Sequence, residues 1–183
     1  MIIVFNKPYG VLSQFTPDQP GQKVLAEFAF PQNVYPVGRL DLDSEGLLIL
    51  SDEKVWNDKL LNPEHAHERT YHVQVEGKVT RDAAIRLEKG VVIQGYKTKP
   101  CKALRLDSAP EYPPRIPPIR ERKNIPTSWM ELKLIEGKNR QVRRMTAAVG
   151  FPTLRLIRAA IGKIRLEGLA EGQWREIKAE ELC

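Results

Sequence analysis

Residues 38–46 read Gly38-Arg39-Leu40-Asp41-Leu42-Asp43-Ser44-Glu45-Gly46 and run directly into Leu47-Leu48-Ile49-Leu50. The second part is a short apolar run bounded by Gly46 and by Ser51-Asp52, the pattern of a hydrophobic strand. The first part is a polar loop that packs an arginine, three acids and a serine between two glycines. Such a loop brings backbone close to a substrate, and the strand behind it holds a carboxylate in a fixed direction. Asp41 and Asp43 are two residues apart, so on an extended backbone both point the same way. They can share a proton, chelate a cation or simply be solvated in a turn, and the loop by itself leaves these readings open.

Outward from this loop the pattern is one of many short strands. Ile2 to Phe5 favour a buried pleated strand over Met1 to Asn6, ended by Lys7-Pro8-Tyr9-Gly10. Residues 13–22 are rich in Gln, Pro and Gly and read as loop, Lys23 to Phe28 as a short helical segment, and Val55 to Leu61 as a helix ending near Pro63. Arg69 to Val79 alternates, with Tyr71, Val73 and Val75 on one face and His72, Gln74 and Glu76 on the other. Thr80 can cap a helix to Glu88 that turns Ala83, Ala84 and Leu87 inward. Val91 to Ile93, Cys101 to Leu106, Trp129 to Ile135, Leu154 to Ile157, Ile164 to Leu166 and Trp174 to Ile177 are strand-like. Asn139 to Val149 has the spacing of a helix whose inner face is Val142, Met145, Thr146 and Val149, and Arg140, Arg143 and Arg144 ride on it. Strands outnumber helices without a strand-helix-strand rhythm, which predicts an α+β fold around a mainly antiparallel mixed sheet with flanking helices. At 183 residues the chain is expected to form one catalytic unit, residues 1–183.

Charge is unevenly distributed. Residues 115–165 hold 13 Lys or Arg against 3 Glu and no Asp, while the remainder carries a net charge of −4. A local positive field beside a slightly acidic remainder suits a polyanion, because each phosphate contact releases condensed counterions. The proline-rich stretch 108–126 lies partly inside this region; a long loop of this kind in a compact chain is more often functional than idle, the alternative being a simple tether between layers. Arg143 could neutralise and orient Asp41, since a buried carboxylate without a partner protonates instead, or it could bind phosphate. His65 and His67 sit in a polar turn beside Pro63 and read as surface residues. Cys101 and Cys183 have neither metal-ligand spacing nor a disulfide framework. No apolar run reaches the roughly 18 to 20 residues that span a bilayer, and the first ten residues are not shaped like a signal peptide, so a cytoplasmic protein is expected.

Four segments resemble the motifs of the pseudouridine synthases, in family order and across nearly the whole chain. FNKPYGVLSQF (residues 5–15) matches the first motif, GRLDLDSEGLLILSD (38–52) the central one, RTYHVQVEG (69–77) the tyrosine-bearing strand, and EGKNRQVRRMTAAVGFPTLRLIRAAIG (136–162) the arginine motif of the ribosomal, small-subunit-A-type branch. The stretch PPRIPPIRERKNIPTSW (113–129) narrows the resemblance to members that modify 23S ribosomal RNA near the peptidyl transferase centre. Many relatives begin with a small RNA-binding domain of the ribosomal-protein-S4 kind, which is not expected here because the first motif starts so early. Arg69 stands where many relatives carry lysine, which keeps the charge but changes the hydrogen-bond geometry.

The resemblance implies a pseudouridine synthase fold with an active-site cleft and an isomerase that breaks the ribose C1′ to uracil N1 bond, rotates the base and rejoins it through C5. Asp41 then begins glycosidic cleavage, Tyr71 stacks on the uracil and takes part in removing the C5 proton, and Arg143 pairs with Asp41. Arg39 enters the stack vacated by the flipped nucleotide. Arg115, Arg120, Arg122, Lys138, Arg140 and Arg144 are the expected RNA contacts. No cofactor or metal is expected, because every atom of the product is already in the substrate. The expected partner is 23S ribosomal RNA, free or in an assembling large subunit, bound by a monomer without membrane contact. The alternatives are a non-catalytic RNA-binding or ribosome-assembly module, or a synthase acting on a different RNA.

Overall fold

A computed structural model describes residues 1–182; Cys183 lies outside the described residues. The chain packs as two compact units, one built from residues 1–67 and from Ile157 onward, the other from Glu68–Leu156. The leading segment of the first unit carries β1 (Ile2–Lys7), β2 (Val11–Leu12), β3 (Lys23–Val24), β4 (Tyr35–Val37), β5 (Glu45–Ser51) and α1 (Val55–Leu61). The second unit carries β6 (Arg69–Glu76), α2 (Arg81–Lys89), β7 (Val92–Ile93), β8 (Tyr96–Lys97), β9 (Lys102–Leu106), β10 (Thr127–Leu134) and α3 (Gln141–Ala148). After β11 (Thr153–Ile161) come β12 (Ile164–Arg165), β13 (Trp174–Ile177) and α4 (Ala179–Leu182). Strand pairings are mostly antiparallel, with a parallel contact between β11 and β5, so the fold is α+β with a mixed, mainly antiparallel sheet.

In the first unit β5 is the pivot, buried at every position. One edge pairs with β1 in the register Ile3↔Leu50 and Phe5↔Leu48, and β1 in turn pairs with β13. These four side chains face one way and join Val11, Leu25, Val34 and Leu40 in an apolar cluster. Aromatic rings close its edge: Phe5 lies 4.9 Å from Phe28 and 5.0 Å from Phe30, and the Trp174 indole N–H donates to the Phe28 carbonyl at 3.2 Å. Along its other edge β5 pairs with β4 at residues 49–51 and with β11 at residues 45–46. The turn between β4 and β5 is the polar loop 38–44. The strand begins at Glu45, two residues before the apolar run, because its pairing with β11 extends it into the loop.

The second unit has its own core under β6 and β10, which pair along eight residues from Thr127↔Glu76 to Leu134↔Arg69. Alternation along β6 turns Tyr71, Val73 and Val75 into a cluster with Leu132, Leu134, Val142, Met145 and Leu87. Helix α2 is capped as expected, the Thr80 hydroxyl accepting from Ala83 N–H at 3.1 Å, and buries Ala83, Ala84 and Leu87. Other elements also differ from the sequence expectation. Helix α3 starts at Gln141 because Arg140 takes the left-handed conformation (φ 51°), which cannot continue a helix. Residues 23–28 split into a strand and a 3-10 turn, for β3 finds a parallel partner in β2.

Lys7 ends β1 fully buried. Its Nζ donates to the Val11 carbonyl at 2.7 Å and the Pro8 carbonyl at 2.9 Å, so the side chain staples the turn that follows the strand. Burial pulls its pKa down from 10.5 to about 7; the carboxylates of Glu45, Asp43 and Asp41 push it back up and the Arg158 guanidinium adds to the fall. The unfolded chain keeps its lysine near 10.5, so between these two values the unfolded state binds the additional proton. Stability contributed at this site therefore rises as pH goes from about 7 to about 10. Urea unfolding across that window is expected to show a smaller pH slope for Lys7→Met than for the wild type, and equal slopes would contradict the buried, depressed lysine.

Candidate functional site

In the first unit the loop 38–44 is fixed from below by segment 10–14. Gly10 N–H donates to the Leu42 carbonyl at 2.8 Å. The Ser13 hydroxyl accepts from Leu40 N–H at 3.0 Å and donates to the Leu40 carbonyl at 2.7 Å. Within the loop, Ser44 N–H donates to the Asp41 carbonyl at 3.1 Å. Asp41 is thus flanked by two residues whose backbones are held from outside the loop, and its side chain is half-buried. Asp43 is half-buried as well, while Glu45 is buried at the start of β5 beside Lys7. Arg39 is exposed, and its Nη2 donates to the Gln14 amide oxygen at 2.7 Å. Among the described residues no three His, Cys, Asp or Glu side chains are grouped to hold a metal ion.

In the second unit Tyr71 is 9% exposed, on the apolar face of β6 and opposite Leu132 in register. Arg143 projects from the first turns of α3 and is half-buried, between Val142 and Met145 of the core face and the exposed surface of the helix. The approach to this helix is braced by Glu136, which sequence reasoning left unassigned. Its buried carboxylate accepts from the Tyr96 hydroxyl at 2.5 Å, Lys99 N–H at 2.7 Å and the Gln141 side-chain amide at 2.8 Å. Burial alone would raise the Glu136 pKa, but these hydrogen bonds outweigh it and hold the carboxyl below its ordinary range. The same bond raises the Tyr96 phenol. Gln141 closes the turn by accepting from Lys138 N–H at 2.9 Å. Glu136 opens the arginine motif, but nothing local points to its bracing role, since its partners Tyr96 and Lys99 lie some forty residues away.

The expected RNA contacts fall into two groups within this unit. Lys138, Arg140 and Arg144 surround the start of α3: Lys138 Nζ lies 4.7 Å over the Tyr96 ring, and Arg144 bonds to Gln94 and to Asn139. The second group is on the proline-rich segment. Arg115 spends its guanidinium on the carbonyls of Pro117 (2.9 Å), Leu154 (3.1 Å) and Pro118 (3.3 Å). Arg122 sits 3.6 Å from Glu76 and Arg120 is exposed. Tyr112 anchors the same segment, its hydroxyl 2.6 Å from His72 Nδ1, with His72 Nε2 3.1 Å from Glu131. Arg155 donates to the Pro113 carbonyl at 3.0 Å. Cys101 is half-buried, and burial, with the Glu88 and Glu136 carboxylates, raises its thiol to about 11.

The family model described as RNA pseudouridylate synthase matches residues 1–148. The ribosomal large subunit pseudouridine synthase E of Xanthomonas axonopodis pv. citri is 53% identical over 93% of this chain and 90% of its own length. The protein of the same name from Vibrio parahaemolyticus is 49% identical over 97% of this chain and 74% of its own length. Among solved structures, the crystal structure of a pseudouridylate synthase superposes with a TM-score of 0.80 at 28% identity, covering 99% of this chain and 71% of that one. With the motif-bearing loop, tyrosine strand and arginine helix each built as described, the chain belongs to the RNA pseudouridylate synthase family and is an enzyme of the isomerase class.

Proposed function

We propose that this chain converts a uridine of 23S ribosomal RNA near the peptidyl transferase centre to pseudouridine, acting on free RNA or on an assembling large subunit. The observation that carries the substrate reading is the 53% identity, over nine-tenths of both chains, to a protein named ribosomal large subunit pseudouridine synthase E. Residues 1–183 work together as one catalytic domain, monomeric and cytoplasmic. Among the described residues no helix is long and apolar enough to cross a membrane.

The chemistry follows from what an isomerisation demands. The C1′ to N1 bond must break, the freed uracil must turn without leaving, and C5 must bond to C1′ and lose its proton while N1 regains one. Asp41 starts the cleavage through its carboxylate, by attack on C1′ or by removal of the C2′ proton. Its backbone cannot drift, because Leu40 and Leu42 are both bonded to segment 10–14. Tyr71 supplies a flat ring for the turning base and takes part in the final proton transfer. A phenol with an ordinary pKa of roughly 10 is a weak base in water, so this transfer relies on positioning. Arg143 pairs with Asp41 and orients it. Arg39 fills the stack left by the flipped nucleotide, whose extrusion costs a few kcal/mol that the surrounding contacts offset.

Lys138, Arg140 and Arg144 read the RNA backbone from the start of α3. Arg120 and Arg122 read its shape from the proline-stiffened segment, and Arg115 adds charge there while holding the segment's own carbonyls. A chain that binds with its catalytic domain senses hairpin shape and the ease of extruding a base more than a long sequence.

On a 23S transcript in chelator, Asp41→Asn is expected to bind RNA nearly as the wild type does and to form essentially no pseudouridine, with Asp43→Asn as the active control. Wild-type single-turnover conversion by Asp41→Asn would remove Asp41 from catalysis, and transcript cleavage or an unmodified transcript with wild-type protein would remove the synthase reading on this RNA. Neutralising Arg140 or Arg144 should weaken binding to many RNAs alike and lower the slope of log affinity against log salt by up to about 0.7 to 0.9 per lost phosphate contact. Arg143→Ala should instead depress turnover at saturating RNA. Normal saturated turnover in all three variants would reduce Arg143 to a phosphate contact.

A further inference from the structure

Three residues of segment 10–14 hold the loop: Gly10 holds Leu42, Ser13 holds Leu40 and Gln14 holds Arg39. Ser13 is 3% exposed, and its one hydroxyl satisfies both the N–H and the carbonyl of Leu40, which is itself buried. Leu40 precedes Asp41 in the chain, so its two peptide groups set where the Asp41 backbone begins. Without the hydroxyl both groups would be left buried and unpaired, a cost that rearrangement of the loop would relieve.

Gln14 acts on the side chain next along. Its amide nitrogen donates to the Thr16 carbonyl at 2.7 Å and to the Asp18 carboxylate at 2.9 Å. Both are acceptors, so the amide oxygen must be the end that faces Arg39, and it accepts from Arg39 Nη2 at 2.7 Å. Asp18 is held in turn, its N–H donating to the Gln22 amide oxygen at 2.9 Å, and the Gln14 carbonyl accepts from Leu25 N–H at 2.9 Å. An exposed arginine, otherwise free to sample many rotamers, is thus aimed by an amide that is fixed at its other end.

We propose that Ser13 and Gln14 are positioning residues for the isomerisation, Ser13 setting the backbone that carries Asp41 and Gln14 aiming Arg39 at the RNA. The inference rests on the roles given above to Asp41 and Arg39. It separates two effects. Loss of the Ser13 hydroxyl misplaces the reacting carboxylate after RNA is bound, so it lowers the saturated rate. Loss of the Gln14 amide leaves Asp41 in place but makes Arg39 pay its ordering entropy on binding, so it raises KM.

Ser51, at the opposite end of β5, is a matched control for a merely structural loss. Its buried hydroxyl also donates to one backbone carbonyl, that of Met1 at 2.7 Å, and accepts from one backbone N–H, that of Glu53 at 3.0 Å. On a 23S transcript, Ser13→Ala should lower the saturated single-turnover rate by about 10- to 100-fold with little change in RNA affinity. Gln14→Ala should raise KM by about 10-fold with the saturated rate nearly kept. Ser51→Ala should shift the urea midpoint about as far as Ser13→Ala does and leave both constants alone. A Ser13→Ala rate no lower than that of Ser51→Ala, or a Gln14→Ala enzyme with wild-type KM, overturns the positioning while an inactive Asp41→Asn measured alongside keeps the catalytic reading standing. A wild-type rate in Asp41→Asn overturns both.

Discussion

There is no room for a side chain at Gly46, and much of the first unit follows from that. Its φ is +103°, and a Cβ placed there would lie 2.4 Å from the Arg158 carbonyl oxygen and 2.9 Å from the Arg158 nitrogen. Both obstacles are backbone, so neither can turn aside. The bare glycine lets β11 reach β5 in parallel register at residues 45–46, and Arg158 Nε then donates to the Leu47 carbonyl at 2.7 Å. With β1 on the other edge, the first residues of β5 are gripped from both sides, immediately after the loop that carries Asp41. Any larger residue at 46 would have to push β11 away or break the strand where the loop needs it rigid.

The loop's second anchor is polar. A carboxylate carried on a loop has few apolar side chains to pack against, so its position has to be fixed in another way. Here hydrogen bonds from Ser13, Gly10 and Ser44 replace packing, and Lys7 holds the turn that delivers Gly10 and Ser13. The Glu45, Asp43 and Asp41 carboxylates favour the charged form of the buried Lys7 amine and the Arg158 guanidinium opposes it. The second unit solves the same problem around α3 with one buried carboxylate, Glu136, which ties Tyr96, Lys99 and Gln141 together. In both, the central buried group, the Ser13 hydroxyl or the Glu136 carboxylate, is hydrogen-bonded to more than one partner, the condition under which such groups lend rigidity rather than cost.

Much of this was legible from residue order. The run Leu47–Leu50, the alternation from Tyr71 to Glu76 and the spacing Val142, Met145, Val149 each report a local period, and each element forms with the expected face inward. Local period says nothing about distant partners or about single left-handed residues, and the departures come from these two sources. The β11 pairing lengthens β5, the β2 pairing turns Lys23-Val24 into strand, and a left-handed Arg140 delays α3. The Asp41 motif was visible as a polar loop between glycines, and family resemblance supplied its chemistry. The residues that hold it were not visible. Ser13 and Gln14 sit in a stretch whose composition says only loop, and their importance comes from facing residues 25 to 27 positions away. Arg115 shows the reverse: its charge suggested an RNA contact, while its guanidinium is engaged with three carbonyls of its own unit.

The reaction and its target are tested together by site-resolved pseudouridine mapping of total RNA from cells with and without the gene, repeated after restoring either the wild-type chain or Asp41→Asn. A 23S ribosomal RNA site near the peptidyl transferase centre is expected to disappear on deletion, to return with the wild type and to stay absent with Asp41→Asn. Loss confined to 16S or transfer RNA would contradict the target, and a site restored equally by Asp41→Asn would contradict the chemistry.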